Sequence, residues 1–184
     1  TIEAILVRIQ KVSLINQIQK EIIVVNDCSS DATEELVKQF KANNPAETIK
    51  IINHQKNQGK GSAIHTGIKE ATGDFIIIQD ADLEYNPEEY NVLLKPILSG
   101  DADVVYGSRF MGGHPHRILF FWHSIGNKIL TSVSNMFTNL NLSDMETCYK
   151  LFRADVIKNI KLKENRFGFE PPPTSKTGIV SWLG

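Results

Sequence analysis

The sequence predicts an α/β fold in which a mostly parallel sheet carries helices on both faces. Two observations carry that prediction. Short, apolar, β-branched runs alternate with amphipathic stretches of helical spacing across the first two thirds of the 184 residues. Three distinctive polar loops, 26–31, 53–61 and 80–86, each follow one of those runs, and ligands collect at the carboxyl ends of strands in such sheets.

Ile2, Ile5, Leu6, Ile9 and Val12 recur at helical spacing and predict a helix from residue 2 to about residue 18. Glu21 to Asn26 is a short β-branched run suited to a strand buried on both faces. Ser30 or Asp31 can cap the next helix, with Glu34 and Glu35 in its first turn and Leu36, Val37 and Phe40 on its inner face. Pro45 closes that unit, Thr48 to Ile52 is a second strand, and Gly61 to about Ala71 a third helix. Gly73 turns the chain into a strand over 74–79. Pro87 sits where a helix can begin, running through Tyr90, Leu93 and Leu94 to about Leu98. Asp103 to Gly107 is one more strand. Beyond it, 108–116 is a loop bearing Gly, His and Arg, and 117 to about 140 a long helix with an apolar start, Ile118 to Trp122. Thr147 to Arg153 adds a strand before a short helix over 154–160.

A chain of this length suits a single domain with a sizeable core. With 41% hydrophobic and 22% charged residues it is globular in type and not disordered. The formal net charge of −1 offers no global attraction to nucleic acid or anionic lipid. Cys28 and Cys148 make neither a disulfide framework nor a spaced zinc site, so a reducing cytosol is the expected setting. No apolar run approaches the roughly 20 residues of a membrane span. The opening helix has no strand ahead of it, and Pro171-Pro172-Pro173 begins a stretch of loop composition, so both ends read as cut.

The most informative segment is Phe75 to Glu84, where an apolar run ends in Asp80, Asp82 and Glu84 at alternate positions. If the chain stays extended there, the three carboxylates share one side. Like charges held that close resist burial unless a cation joins them. Mg²⁺ or Mn²⁺ accepts such oxygen ligands and brings a substrate phosphate with it. A solvated acidic loop is the simpler account of an isolated Asp-x-Asp, but its neighbours shift the balance. Asp27, after the first strand, can accept hydrogen bonds from a nucleotide base or ribose or can support the turn, with nucleotide contact slightly the stronger reading, while capping is the main task expected of Asp31. Asn57 to Ala63 sets glycines and Lys60 at a helix start, where backbone N–H groups, the helix dipole and the lysine can hold an anion. This is not a Walker A sequence. Arg109, in Gly107-Ser108-Arg109, can fork onto a phosphate or pair with Asp101 or Asp103. The spacing of His114, His116 and His123 fits no familiar zinc pattern, and they read as solvated loop histidines or a phosphate contact. Asp144, Lys150 and Arg153 form a further polar group, read as surface pairing or as part of an acceptor side.

In order along the chain, these segments resemble family 2 glycosyltransferases. Ile23 to Thr33 resembles the V-D-D-x-S-x-D-x-T segment, Asn57 to Ala63 the N-x-G-K-G-x-A segment, and Asp80-Ala81-Asp82-Leu83-Glu84 the metal motif. Gly107 to Phe110, Asp144 to Arg153 and Arg166 to Glu170 are similar to later motifs of the dolichyl-phosphate mannose and glucose synthase branch. The resemblance covers roughly residues 1–170. It implies a GT-A fold lacking its usual first strand, whose P-x-Y-N-E motif is absent. The whole chain, 1–184, then reads as one glycosyltransferase domain: 1–110 a nucleotide-sugar and metal half, 111–170 an acceptor half, 171–184 an irregular tail.

The implied reaction is inverting transfer of a hexose from a nucleotide-diphosphate sugar, of GDP-mannose or UDP-glucose type, to a polyprenyl phosphate. Taken with the anion reading of the Lys60 turn, the resemblance assigns Asp27, Asp31, Lys60, Gly61, Asp80, Ala81 and Asp82 to the nucleotide-sugar site. It assigns Asp80, Asp82 and Glu84 to the divalent metal, and Asp82, Arg109 and Asp144 to the transfer step. The expected location is the cytosol or the cytosolic face of a membrane, with Ile118 to Trp122 either packing on the sheet or touching lipid. Three departures stand out: Asn26, Cys28 and Ala32 replace the usual aspartate and two glycines. A non-catalytic nucleotide-binding fragment is the rival reading. A phosphoryl-accepting receiver domain fits poorly, because it needs one lone aspartate where this chain has a cluster.

Overall fold

The computed structural model describes residues 1–83, 85–107, 126, 129, 131–133, 135–136 and 149–160. Helix α1, Ile2–Lys11, buries Ile2, Ile5, Leu6 and Ile9, the stripe that its spacing predicts. It ends well short of residue 18, with Val12 already extended at φ −71° and ψ 121°. The reason lies downstream. The chain doubles back through a 3₁₀ turn at Ile15–Gln17, and the Lys20 ammonium donates to the carbonyls of Ile9, Gln10 and Val12 at 2.7, 2.9 and 2.6 Å. Those carbonyls find a cation instead of the next helical turn. Asn91 pins the same bend, accepting from the Ile15 N–H and donating to the Ser13 carbonyl, both at 2.9 Å.

Strand β1, Glu21–Asn26, pairs in parallel with β2, Thr48–Asn53, from Glu21↔Thr48 to Asn26↔Asn53. Helix α2, Thr33–Asn43, makes the crossover and buries Val37 and Phe40. Helix α3, Lys60–Glu70, leads from β2 towards β3, Phe75–Ile78. A 3₁₀ turn at Pro87–Glu89 opens helix α4, Tyr90–Leu98, and the Asn86 side chain caps that turn by accepting from the Glu88 N–H. Strand β4 is Val104–Tyr106, β5 is Lys150–Arg153, and α5 is Ala154–Asn159. β5 lies between β3 and β4 and runs antiparallel to both, so that Ile78 and Tyr106 flank Lys150 in register. β3 and β4 therefore run the same way, and β5 is the reversed strand in an otherwise parallel arrangement. Sequence patterning locates such a strand but does not give its direction.

Helices cover both faces, as expected. α1, α2 and α4 pack with Ile22, Val24, Tyr149 and Leu151 in one core cluster. α3 and α5 pack with Ile23, Ile76, Ile78, Val104 and Phe152 in the other. Among the described residues β1 and β3 share no ladder, and the strands form a pair and a separate triplet. Two cavities lie between them. One, of about 100 Å³, is lined on the α3 side by Ile23, Ile64, Ile68 and Ile76. The other, of about 420 Å³, is lined on the α1 and α4 side by Ile9, Ile22, Tyr90 and Leu94. Described residues between 126 and 136 are helical, within the span predicted for the long helix, whose remainder lies outside the described residues. The described helices include none long and apolar enough to cross a membrane.

Candidate donor-binding site

Three loops meet at the carboxyl ends of β1, β2 and β3. The apolar alternation of β3 stops at Ile78, and the chain then bends over residues 81–83. The extended path that would put the carboxylates on one side is therefore not kept. Gln79 makes the bend possible. It is fully buried, and its amide donates to the Asp80 carbonyl at 3.2 Å and the Tyr85 carbonyl at 3.4 Å. Its carbonyl oxygen accepts from the Tyr90 hydroxyl at 3.2 Å. Tyr149, also buried, stacks on Tyr85 with ring centroids 5.0 Å apart and donates its hydroxyl to the Asn86 carbonyl at 2.6 Å. Burial raises both tyrosine hydroxyls well above their usual range, so each stays a neutral donor. Both ends of the acidic loop are thus tied to buried side chains.

Lys60, the first residue of α3, reaches across to Asp80, with Nζ 2.6 and 2.8 Å from the two carboxylate oxygens. Gly59 precedes it at φ 91°, a left-handed conformation that favours glycine, and its carbonyl accepts from the Ser62 and Ala63 N–H groups. Gly61 is buried in the first turn of α3. Ala81 is half-buried against the α1/α4 core, and Asp82 is exposed.

Asp27 follows β1, and its carboxylate is engaged by the loop after β2. Oδ1 lies 2.7 Å from His54 Nδ1 and accepts from the Gln58 N–H at 3.0 Å. Oδ2 accepts from the Gly59 N–H at 2.7 Å. Partial burial pushes this carboxyl up; the Gln58 N–H, the His54 ring and the Gly59 N–H together outweigh it and hold the group below its ordinary value. His54 Nε2 in turn lies 2.9 Å from the Thr66 hydroxyl on α3. Asn26 donates to Asn53 across the ladder at 3.1 Å and accepts from the Ser29 N–H at 3.0 Å, which shapes the loop after β1. Asp31 is exposed and accepts from the Thr33 N–H at 3.1 Å, but the N-cap of α2 is Ala32, without a side-chain cap, so Asp31 holds the turn just ahead of the helix and is not the cap expected of it. Thr33 holds its carboxyl below the ordinary range.

The structure thus brings Lys60 and Asp80 together, and fastens Asp27 to the turn that precedes Lys60. Glu84, Arg109 and Asp144, like His114, His116 and His123, lie outside the described residues. Sequence reading missed Gln79, His54, Thr66 and Tyr149. The contacts that give them meaning reach partners 6 to 63 residues distant, beyond the local bonds of Gln79 to Asp80 and Thr66 to Ser62, and only the polarity of Gln79 inside an apolar run was a signal.

For a divalent ion, the described residues include no group of three His, Cys, Asp or Glu side chains. Two aspartates are of the oxygen type that Mg²⁺ and Mn²⁺ prefer, Asp80, whose oxygens Lys60 engages in this structure, and the exposed Asp82, and a substrate diphosphate can complete such a shell. The donor set fits a metal that arrives with its ligand.

The glycosyl transferase family 2 model matches residues 6–161. The chain belongs to that family. Among curated family members it is 30% identical to a dolichol-phosphate mannosyltransferase of Pyrococcus furiosus over 152 residues, which is 82% of this chain and 42% of the relative. It is 31% identical over 164 residues to a prophage bactoprenol glucosyl transferase homologue of Escherichia coli, covering 89% of this chain and 49% of the relative. The chain therefore spans less than half the length of these two relatives. Glucosyl-3-phosphoglycerate synthase of Mycobacterium tuberculosis superposes over 87% of this chain and 54% of its own, with a TM-score of 0.59 at 18% identity. TarS of S. aureus covers 85% of this chain and 48% of its own, with a TM-score of 0.51 at 22% identity. At those identities the likeness is one of fold, and the fold is GT-A.

Proposed function

We propose that this family 2 domain is an inverting hexosyltransferase, taking its sugar from a nucleotide diphosphate and passing it to a polyprenyl phosphate. The observation that carries the reading is the Lys60–Asp80 pair at 2.6 Å, a cation and a carboxylate at the meeting of a strand end and a helix start. Lys60 and the N–H groups that open α3 face the charge of a diphosphate. Asp80 and Asp82, joined by Glu84, are the ligands proposed for Mg²⁺ or Mn²⁺. When bound there with the donor, such an ion supplies positive charge against the charge that builds on the diphosphate. Asp27 and Asp31 stand on the nucleotide side, with Gly61 and Ala81 in the turns around the diphosphate. Arg109 and Asp144 are proposed for phosphate charge and the acceptor side.

In the transfer itself, an oxygen of the acceptor phosphate attacks the anomeric carbon from the face opposite the leaving group. The bond from that carbon to the diphosphate oxygen breaks, and the nucleoside diphosphate leaves with the electron pair. A phosphate acceptor is already ionised at neutral pH, so the step needs positioning and electrostatics more than a strong base. The names of the two relatives above, one for dolichol-phosphate and one for bactoprenol, support this acceptor class. A donor of GDP-mannose or UDP-glucose type is the finer proposal. Contact with a membrane surface through Ile118 to Trp122 is another, checked by vesicle co-sedimentation of a Phe121→Glu/Trp122→Glu variant; equal sedimentation would remove it.

The test is a donor panel scored by calorimetry with and without Mn²⁺. The expected result is metal-dependent binding of a nucleotide sugar that is lost in Asp82→Asn. Normal binding by Asp82→Asn would overturn the metal assignment. Binding with neither transfer nor hydrolysis of the sugar would favour the rival reading, a nucleotide-binding fragment.

A further inference from the structure

The hydrogen-bond chain behind the Lys60 turn has a buried histidine at its centre. His54 has a side chain only 8% exposed, and both ring nitrogens are engaged: Nδ1 by Asp27 at 2.7 Å, Nε2 by the Thr66 hydroxyl at 2.9 Å. An ionised carboxylate only accepts, so the Nδ1 position carries a proton, and Nε2 meets a hydroxyl able to donate or accept. The backbone fixes the ring as well, since the His54 N–H donates to the Asn26 carbonyl at 2.9 Å. Thr66 belongs to the second turn of α3 and also donates to the Ser62 carbonyl at 3.1 Å. One imidazole therefore links the end of β1, the loop after β2 and the body of α3.

On the other side of Asp27, the same carboxylate collects the N–H groups of Gln58 and Gly59. These are the two residues directly ahead of Lys60. The left-handed Gly59 and the reach of Lys60 to Asp80 both depend on where that turn sits. Alongside those two backbone N–H groups, the His54 ring holds the Oδ1 side of the carboxylate, so the set of its oxygens towards the turn is shared between them.

We propose that His54 is a positioning residue for the donor site: held between Asp27 and Thr66, it orients the Asp27 carboxylate, which seats the Gln58–Gly59–Lys60 turn against the donor diphosphate. The proposal rests on the hexosyltransferase reading and names what holds its anion-binding turn in place. His54 does not touch the substrate; it acts through Asp27.

Three substitutions separate its contacts. His54→Asn keeps an N–H near the Nδ1 position, facing Asp27; His54→Gln keeps one near Nε2, facing Thr66; His54→Ala removes both. Binding of UDP and GDP with Mn²⁺ is measured by calorimetry, alongside thermal melting and the backbone amide resonances of Gln58 and Gly59. His54→Ala and His54→Gln are expected to weaken binding roughly tenfold or more, as loss of a group that orients a ligating side chain does. His54→Asn is expected to stay within roughly threefold of the natural protein on the same grounds, with the two amide resonances restored. A merely structural histidine would lower melting alike in the Asn and Gln variants without separating their affinities, and that result overturns the proposal. Unchanged binding in all three also overturns it, while leaving the donor-site reading intact. Absence of nucleotide binding by the natural protein removes that reading and the proposal with it. Should His54→Ala fail to fold, the comparison of Asn with Gln decides.

Discussion

Gln79→Leu is the sharpest probe of how the acidic loop is held. The substitution keeps the volume of a fully buried side chain and removes its three hydrogen bonds. The Tyr90 hydroxyl then loses its acceptor in a site where burial already keeps it neutral, and an unsatisfied buried donor costs about 1–3 kcal/mol. The bonds to the Asp80 and Tyr85 carbonyls are long, at 3.2 and 3.4 Å. They add about 0.5 kcal/mol each, at the low end for a neutral pair. Burying leucine in place of an amide offsets about 1 kcal/mol. The net loss is about 1–3 kcal/mol, which in a chain of this size lowers the melting temperature by about 2–4 °C per kcal/mol. Tyr90→Phe removes the orphaned donor, so the double variant should be more stable than the sum of its single variants by about 1 kcal/mol. The assay is a double-mutant cycle by urea unfolding. A Gln79→Leu variant as stable as the natural protein, or a strictly additive cycle, would refute the view that Gln79 braces this loop.

Two further predictions follow from neighbouring contacts. At Gly107, a Cβ would sit 3.0 and 3.1 Å from the Tyr149 side chain and 3.3 Å from its carbonyl, which already accepts the Gly107 N–H at 2.6 Å. Gly107→Ala is therefore expected to cost about 1–3 kcal/mol through overpacking against a ring that cannot yield, measured by urea unfolding; a neutral result would show that Tyr149 has room to move. Asp27→Asn tests the brace by pH. The folded carboxyl lies below the ordinary value of 3.8, so its stabilisation is fully present above 3.8 and is lost as pH falls through the lower folded value. The melting difference between the natural protein and Asp27→Asn should be constant above that pH and shrink in acid; a difference independent of pH would contradict the network of N–H donors.

Much of the fold was legible because its signals are local. Ile2, Ile5, Leu6 and Ile9 face the core at the spacing that identifies them, and the run Glu21 to Asn26 forms the strand it predicts to the residue. The end of α1 was not legible, because Lys20 satisfies its last carbonyls from beyond the bend, a contact that no window of periodicity contains. The direction of β5 was hidden for the same reason: Leu151 and Phe152 are buried on opposite faces whichever way the strand runs.

The site divides along the same line. Lys60 and Asp80 carry charge, sit at an element boundary and follow turn or strand signals, so their types and positions announce chemistry in the sequence itself. The residues that hold them look ordinary in one dimension. His54 ends a strand in a polar loop, and Gln79 is a single amide after three isoleucines. Each acquires meaning only when the chain closes: His54 from Asp27, 27 residues earlier, and Gln79 from Tyr90, 11 residues later. Asp27 shows how far this changes a reading. From sequence it is a carboxylate at a strand end, open either to a nucleotide or to the turn it begins. In the folded chain its oxygens accept from Gln58 and Gly59 and meet His54, so it holds the turn whatever else it contacts. An anion-binding turn and the carboxylate that shapes it are then one device, and losing either Asp27 or His54 should be felt first at Lys60.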